Sequence, residues 1–242
     1  MTVPFAAVTA KVRRLAVCST LAAALALGAA PLAAAGAESA PEAAAEFVKS
    51  LFDRARHLSA TPESRDPERL RQLVAFVRGG VDLVAIARFS TGPFWKQASD
   101  EERDRFLALL ETFIAQTFDR RLGELTGRTL SVVKAVAIAP AADESRDMLV
   151  VSRFTGTDNR ALGVDWRVRM SNTGPRIVDL VVEGISMAVA QRDEFITVIR
   201  NGGGKFAALL TKLEEWTANP DDALAQRPDL RVRAAGSRPM KH

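Results

Sequence analysis

The chain has 242 residues, 48% of them hydrophobic, and carries 33 Lys and Arg against 29 Asp and Glu for a formal charge of +4. That length permits one domain of ordinary size with some chain left over. A single cysteine, Cys18, and two histidines, His57 and His242, exclude a disulfide framework, leave no base for a Ser-His or Cys-His nucleophile, and offer no clustered metal ligands.

Lys11, Arg13 and Arg14 precede an uncharged Ala/Leu-rich run over 15–30 and then the small residues Ala33, Ala34, Ala35, Gly36 and Ala37. This is the three-part layout of a secretory signal peptide, and Ala35-Gly36-Ala37 fits an A-x-A cleavage site, so residues 1–37 are expected to be removed. The run is shorter than the roughly 20 residues of a membrane span. Cys18 precedes most of it, which is the wrong side for lipidation. Cleavage takes away three of the 33 cations and none of the 29 acids, so the formal charge falls from +4 to +1. A nearly neutral exported domain lacks the concentrated basic surface that a nucleic-acid partner requires.

Helical spacing begins near Pro41, where Ala45, Val48, Leu51, Phe52 and Ala55 recur on one face, and predicts a helix over 41–58 with His57 as an exposed polar end. After a polar break at 61–67, Leu70, Leu73, Val74 and Val77 predict a second helix over 67–78, ended by Gly79-Gly80. Asp82 can cap a short helix carrying Leu83, Ile86, Ala87 and Phe89 inward until Gly92-Pro93 stops it. Phe94-Trp95 reads as a buried aromatic pair, either core or pocket wall. Ser99 with Glu102 forms a capping box. The stripe of Phe106, Leu109, Leu110, Phe113, Ile114, Thr117, Phe118 and Leu122 then predicts a long helix over 99–124.

Beyond Thr126-Gly127 the period changes to two, and 129–138, 147–155, 161–170 and 177–183 read as consecutive strands with no helix between them. Such an order predicts a four-stranded, twisted antiparallel meander. Residues 171–175, dense in turn formers, predict a hairpin loop longer than two residues. Val178, Leu180 and Val182 are expected to share the buried face with Trp166 and Val168. Asp179 and Glu183 then fall opposite Arg167 and Arg169, where ion pairing suits them better than acid/base work. Helical spacing returns with Phe195, Val198 and Ile199, breaks at Asn201-Gly202-Gly203-Gly204, and resumes with Phe206, Leu209, Leu210, Leu213 and Trp216. The Gly202-Gly203-Gly204-Lys205 stretch follows a helix and lacks phosphate-loop spacing. Residues 218–242 have no apolar face and read as a mobile tail.

The fold class is therefore α+β: N-terminal helices, a four-stranded antiparallel sheet and two C-terminal helices. Residues 42–216 resemble the MlaC-type family of periplasmic phospholipid-binding proteins, the toluene-tolerance auxiliary proteins of an ABC transporter. The resemblance is carried by Val81-Asp82, Arg88-Phe89 and Gly92-Pro93-Phe94-Trp95-Lys96, by Glu102-Arg103 with Phe106 and Phe113, and by Val164-Asp165-Trp166-Arg167-Val168-Arg169. Its sharpest part is Asp179-Leu180-Val181-Val182-Glu183-Gly184-Ile185-Ser186-Met187, followed by Arg192-Asp193-Glu194-Phe195 and the Gly202-Gly203 break. The chain has no tyrosine, so Phe94 and Gln191 stand where the family often has Tyr, and Pro175-Arg176 replaces a common Trp-Lys. These departures bear on ligand preference.

The resemblance implies an apolar cavity between helices and curved sheet in residues 38–217, with lipid tails inside and the head group at the mouth. It implies a non-enzymatic periplasmic carrier without cofactor or metal. That carrier would shuttle phospholipid between an outer-membrane lipoprotein or porin complex and the substrate-receiving subunit of an inner-membrane ABC transporter. The expected wall residues are Phe89, Phe94, Trp95, Leu110, Phe113, Ile114, Phe154, Trp166, Val168, Leu180 and Met187. Asp82, Glu183, Gly184, Arg192 and Phe195 are signature positions, with Glu183 and Arg192 expected in a salt bridge or turn contact. A branch of the same family associated with hopanoids, and an enzyme on a cone-shaped α+β fold acting on a small apolar molecule, stand as alternatives.

Overall fold

The structure, a computed structural model, describes residues 39–59, 67–125, 127–138, 146–157 and 161–220. The expected signal segment and almost all of the expected tail lie outside the described residues. Seven helices and five strands follow in the order α1 (Ala40–Ser59), α2 (Pro67–Gly80), α3 (Leu83–Thr91), α4 (Phe94–Gln97), α5 (Asp100–Leu125), β1 (Thr129–Ala137), β2 (Arg146–Thr155), β3 (Ala161–Ser171), β4 (Gly174–Val182), β5 (Ile185–Ser186), α6 (Met187–Asn201) and α7 (Phe206–Ala218) among the described residues.

Helix starts follow local chemistry. The capping box at α5 forms in both directions: the Glu102 carboxylate accepts from the Ser99 N–H at 2.9 Å, and the Glu102 N–H donates to the Ser99 hydroxyl at 3.1 Å. A second box, Ser39 with Glu42, opens α1. Asp82 accepts from the Ala85 N–H at 2.9 Å and caps α3. Gly92-Pro93 ends α3, but the same pair starts a further turn of helix. Gly92 takes φ 56° to reverse the chain, and Pro93, at φ −65°, is pre-set for α4.

The strands form one antiparallel meander in the order β1-β2-β3-β4-β5. The hairpin between β3 and β4 corrects the expectation of a long loop. Ser171 pairs with Gly174 across a two-residue turn, because Gly174 adopts φ 102° and the Ser171 hydroxyl donates to its carbonyl at 2.7 Å. Strand β4 thus begins at Gly174, three residues early, and includes Pro175. The proline is tolerated because β5 pairs with β4 only at Val181 and Val182, leaving the Pro175 end at the sheet edge.

Two irregularities redirect side chains. The register shifts around Val133 in β1 and around Val178 in β4. The second shift puts Ile177 opposite Val168, so Ile177 and Val178 are both buried where strict alternation would bury only Val178. Asp179 stands opposite Arg167 as alternation expects, but the expected ion pairing of Asp179 and Glu183 with Arg167 and Arg169 is corrected. The Arg167 and Arg169 guanidiniums instead donate to Asp147 on β2 at 2.7 and 2.9 Å, covering a carboxylate that is 2% exposed. Asp179 turns to the start of α6, where it accepts from the Ser186 hydroxyl at 2.6 Å and the Ala188 N–H at 2.9 Å. The exposed N–H groups and positive dipole end of that helix draw it there.

The core lies in two clusters. One joins α1 and α2 to the inner sheet face through Val48, Phe52, Leu73, Val77, Val150, Trp166 and Val168; the other joins α3, α5, α6 and α7 around Phe106, Phe195, Ile199, Leu209 and Leu213. Two ion pairs tie α5 to α2: Arg69 with Asp119, its Nε donating at 2.8 Å, and Arg78 with Glu111 in a two-pronged contact of 2.8 and 2.7 Å. Helix α5 also packs on α1, α3 and α7.

Candidate functional site

Between the inner side of α5 and the inner face of the sheet lies a cavity of about 300 Å³. Helix α5 supplies Leu110, Phe113, Ile114, Thr117, Phe118 and Arg121, residues at the three- and four-residue steps that keep one helical face aligned. From Leu110 to Arg121 this wall runs ~16 Å at 1.5 Å per residue. Opposite it stand Phe154, Leu162, Val164, Trp166, Leu180 and Val182 of the sheet. Leu51, Phe52 and Ala55 of α1, Phe76 and Val77 of α2, and Met187, Ala188 and Gln191 of α6 complete the lining.

The lining is apolar for a local reason as well as a compositional one. The indole N–H of Trp166 donates to the Ser152 hydroxyl at 2.9 Å, and that hydroxyl donates to the Val164 carbonyl at 2.5 Å. The polar atom of the tryptophan is therefore satisfied within the sheet, and carbon faces the cavity. Phe154 meets Phe52 edge-on at 5.2 Å between ring centroids and Trp166 at 6.2 Å, while Phe76 stacks on Phe118 at 4.8 Å. The polar side chains in the wall are Thr117, Arg121, Arg128, Asp179 and Gln191.

Of the residues expected in a pocket wall, the structure brings Leu110, Phe113, Ile114, Phe154, Trp166, Leu180 and Met187 together around the cavity. Val168 is on the inner sheet face but fully buried in the first core cluster. Phe94 and Trp95 pack half-buried against the second cluster, where the Trp95 ring lies 6.3 Å from Phe106. Phe89, expected inward, is 41% exposed; Ala87, Ser90 and Thr91 occupy the buried side of α3, and the Arg192 guanidinium sits 5.2 Å over the Phe89 ring. The other signature positions organise the frame. Asp82 caps α3, and its N–H donates to the Ile177 carbonyl at 2.9 Å. Glu183 takes φ 49° with Gly184 at φ 82°, and the Glu183 carboxylate accepts from the N–H of Gly163 on β3. Phe195 is fully buried between Phe106, Phe113 and Trp216.

Sequence reasoning placed Leu51, Phe52 and Ala55 on a buried helix face without assigning them to a cavity, and left out Phe76, Arg121 and Arg128. A signal for Arg121 is present: the stripe Ile114, Thr117, Phe118 continues by the same step into an arginine. Among the described residues no cluster of His, Cys, Asp or Glu is placed to hold a metal, and no helix is long and apolar enough to cross a membrane.

The family profile described as MlaC protein matches residues 45–215, and the chain belongs to the MlaC protein family. Its fold is similar to that of the phospholipid-binding protein from Ralstonia solanacearum, solved in complex with a phospholipid. The TM-score is 0.58 at 21% sequence identity, and the match covers 72% of this chain and 97% of that one.

Proposed function

We propose that the protein is a periplasmic phospholipid carrier that works by enclosing and releasing acyl chains, with no reaction at the site. The observation that carries this reading is the cavity's shape and chemistry: an apolar chamber whose α5 wall runs ~16 Å. That length is close to the ~15 Å that a lipid tail spans in one leaflet of a hydrocarbon core about 30 Å thick. The need for enclosure is energetic. At about 0.8 kcal/mol per methylene, a lipid with on the order of 30 methylenes resists entering water by more than about 20 kcal/mol. Membership in the MlaC family, and the phospholipid held by the similar Ralstonia protein, support the same ligand class.

In this reading residues 38–217 are the lipid-binding domain, exported by the signal over 1–37. The carrier passes phospholipid between an outer-membrane lipoprotein or porin complex and the substrate-receiving subunit of an inner-membrane ABC transporter, maintaining outer-membrane lipid asymmetry. Native mass spectrometry of protein purified from a bacterial periplasm tests it. A folded protein carrying stoichiometric phospholipid is expected, and consistently empty protein would count against the reading. A co-purifying hopanoid in place of phospholipid would move the assignment to that ligand.

A further inference from the structure

Arg121 and Arg128 are the cations of the cavity wall among the described residues. Arg121 ends the α5 stripe that begins at Leu110. Arg128 directly precedes β1, and alternation places it on the face shared by Leu130 and Val132, the residues of β1 that pack toward the first core cluster. Gly127, at φ 73°, makes the reversal between helix and strand that brings these two positions to the same end. Both arginines are half-buried, so each has lost part of its hydration while facing an apolar chamber. Asp179, the acid of the wall among the described residues, accepts from the Ser186 hydroxyl and the Ala188 N–H and so lies on the α6 side with Met187, Ala188 and Gln191.

Resting on the carrier reading above, we propose that Arg121 and Arg128 form a phosphate-recognising end to the cavity, which selects phosphodiester-bearing amphiphiles over neutral ones of equal tail length. Guanidinium groups present a planar fork that matches phosphate oxygens, and hydrogen bonds between charged partners are strongest where water is partly excluded. The ~16 Å of apolar wall leading away from Arg121 then receives the tail. This assigns the lipid an orientation: phosphate at the junction of α5 and β1, methyl end toward Leu110 and Met187.

The test uses the full chain purified from a Gram-negative host and two pyrene-labelled probes with identical acyl chains, a phosphatidylglycerol and a diacylglycerol, each delivered from cyclodextrin. Wild-type protein is expected to take up the phosphatidylglycerol probe about tenfold better. Arg121→Gln with Arg128→Gln should bring the two probes to within about twofold by lowering phosphatidylglycerol uptake alone, and Arg121→Lys with Arg128→Lys should keep most of the preference. Far-UV circular dichroism confirms folding, and the single Gln variants replace the double one where it fails to fold. Equal uptake of both probes by wild type, or an unchanged preference in the Gln variants, overturns the phosphate assignment. Uptake of neither probe overturns the carrier reading itself. Calorimetric binding of inorganic phosphate, lost in the Gln variant and unaccompanied by lipid uptake, assigns the arginines to free phosphate and overturns the lipid proposal.

Discussion

The indole N–H of Trp166 and the hydroxyl of Ser152 are joined at 2.9 Å on neighbouring strands, and through this bond a residue that carries a polar atom presents only carbon to the cavity. Ser152→Ala removes the acceptor and leaves a buried donor unsatisfied. Urea unfolding is expected to show a loss of about 1–3 kcal/mol, and Trp166→Phe in the same background should recover part of it by removing the stranded N–H.

Filling the cavity and damaging the core should have separable effects. Ile114→Trp places a larger side chain in the middle of the α5 wall. Phospholipid in the purified protein should fall to background while stability changes by about 1–3 kcal/mol or less. Phe106→Ala deletes a fully buried ring packed on Phe195 and Phe206 at 5.7 and 5.4 Å, away from the cavity. It should cost about 3–5 kcal/mol while lipid per folded molecule is retained, as read by unfolding curves and lipid extraction on the same preparations.

Acid should weaken the sheet through Asp147. Burial, the largest single influence on this carboxyl, raises its pKa, but hydrogen bonds and charge from Arg169 and Arg167 together outweigh burial and hold it below the usual carboxylate range. A carboxyl with a depressed folded pKa contributes stability above its unfolded value of about 3.9, and that contribution disappears as pH falls through the folded value. Asp147→Asn should therefore be less stable than wild type at pH 7, and the gap between their urea midpoints should close as the pH is taken below about 4.

Gly202 ends α6 for reasons of space. A Cβ there would lie 2.2 Å from the Cβ of Ala208, although its φ of −83° is open to any residue. Gly202→Ala is expected to cost about 1–3 kcal/mol, and Ala208→Gly should restore most of that loss less the roughly 0.5–1 kcal/mol for a helical glycine. A thermal-melt double-mutant cycle measures both.

Much of the frame was legible from residue spacing because it rests on local chemistry. The capping box at Ser99 and Glu102, the cap at Asp82, the stripe along α5 and the break at Gly202 are decided within a few residues of chain. The same holds for the order of strands and the inward face of Trp166. What escaped were features set by neighbours far away in sequence. Asp147 looked like one more polar strand residue until β3 brought Arg167 and Arg169 beside it. Alternation assigned Asp179 to those arginines, but the start of α6 claimed it. Phe94, Trp95 and Val168 looked as suited to a pocket wall as Phe113 did.

The local patterns of this chain dictate which faces are apolar and where each helix and strand begins, since capping, periodicity and turn chemistry act over a few residues. Whether an apolar face meets another side chain or borders a cavity depends on how far apart the packed elements are held. Arg69 and Arg78 tie α5 to α2, and the bulge at Val178 buries both Ile177 and Val178 of β4. Distances between elements arise from such long-range contacts, so the tertiary structure alone decided that Phe113 and Trp166 border a cavity while Phe106 and Val168 close a core.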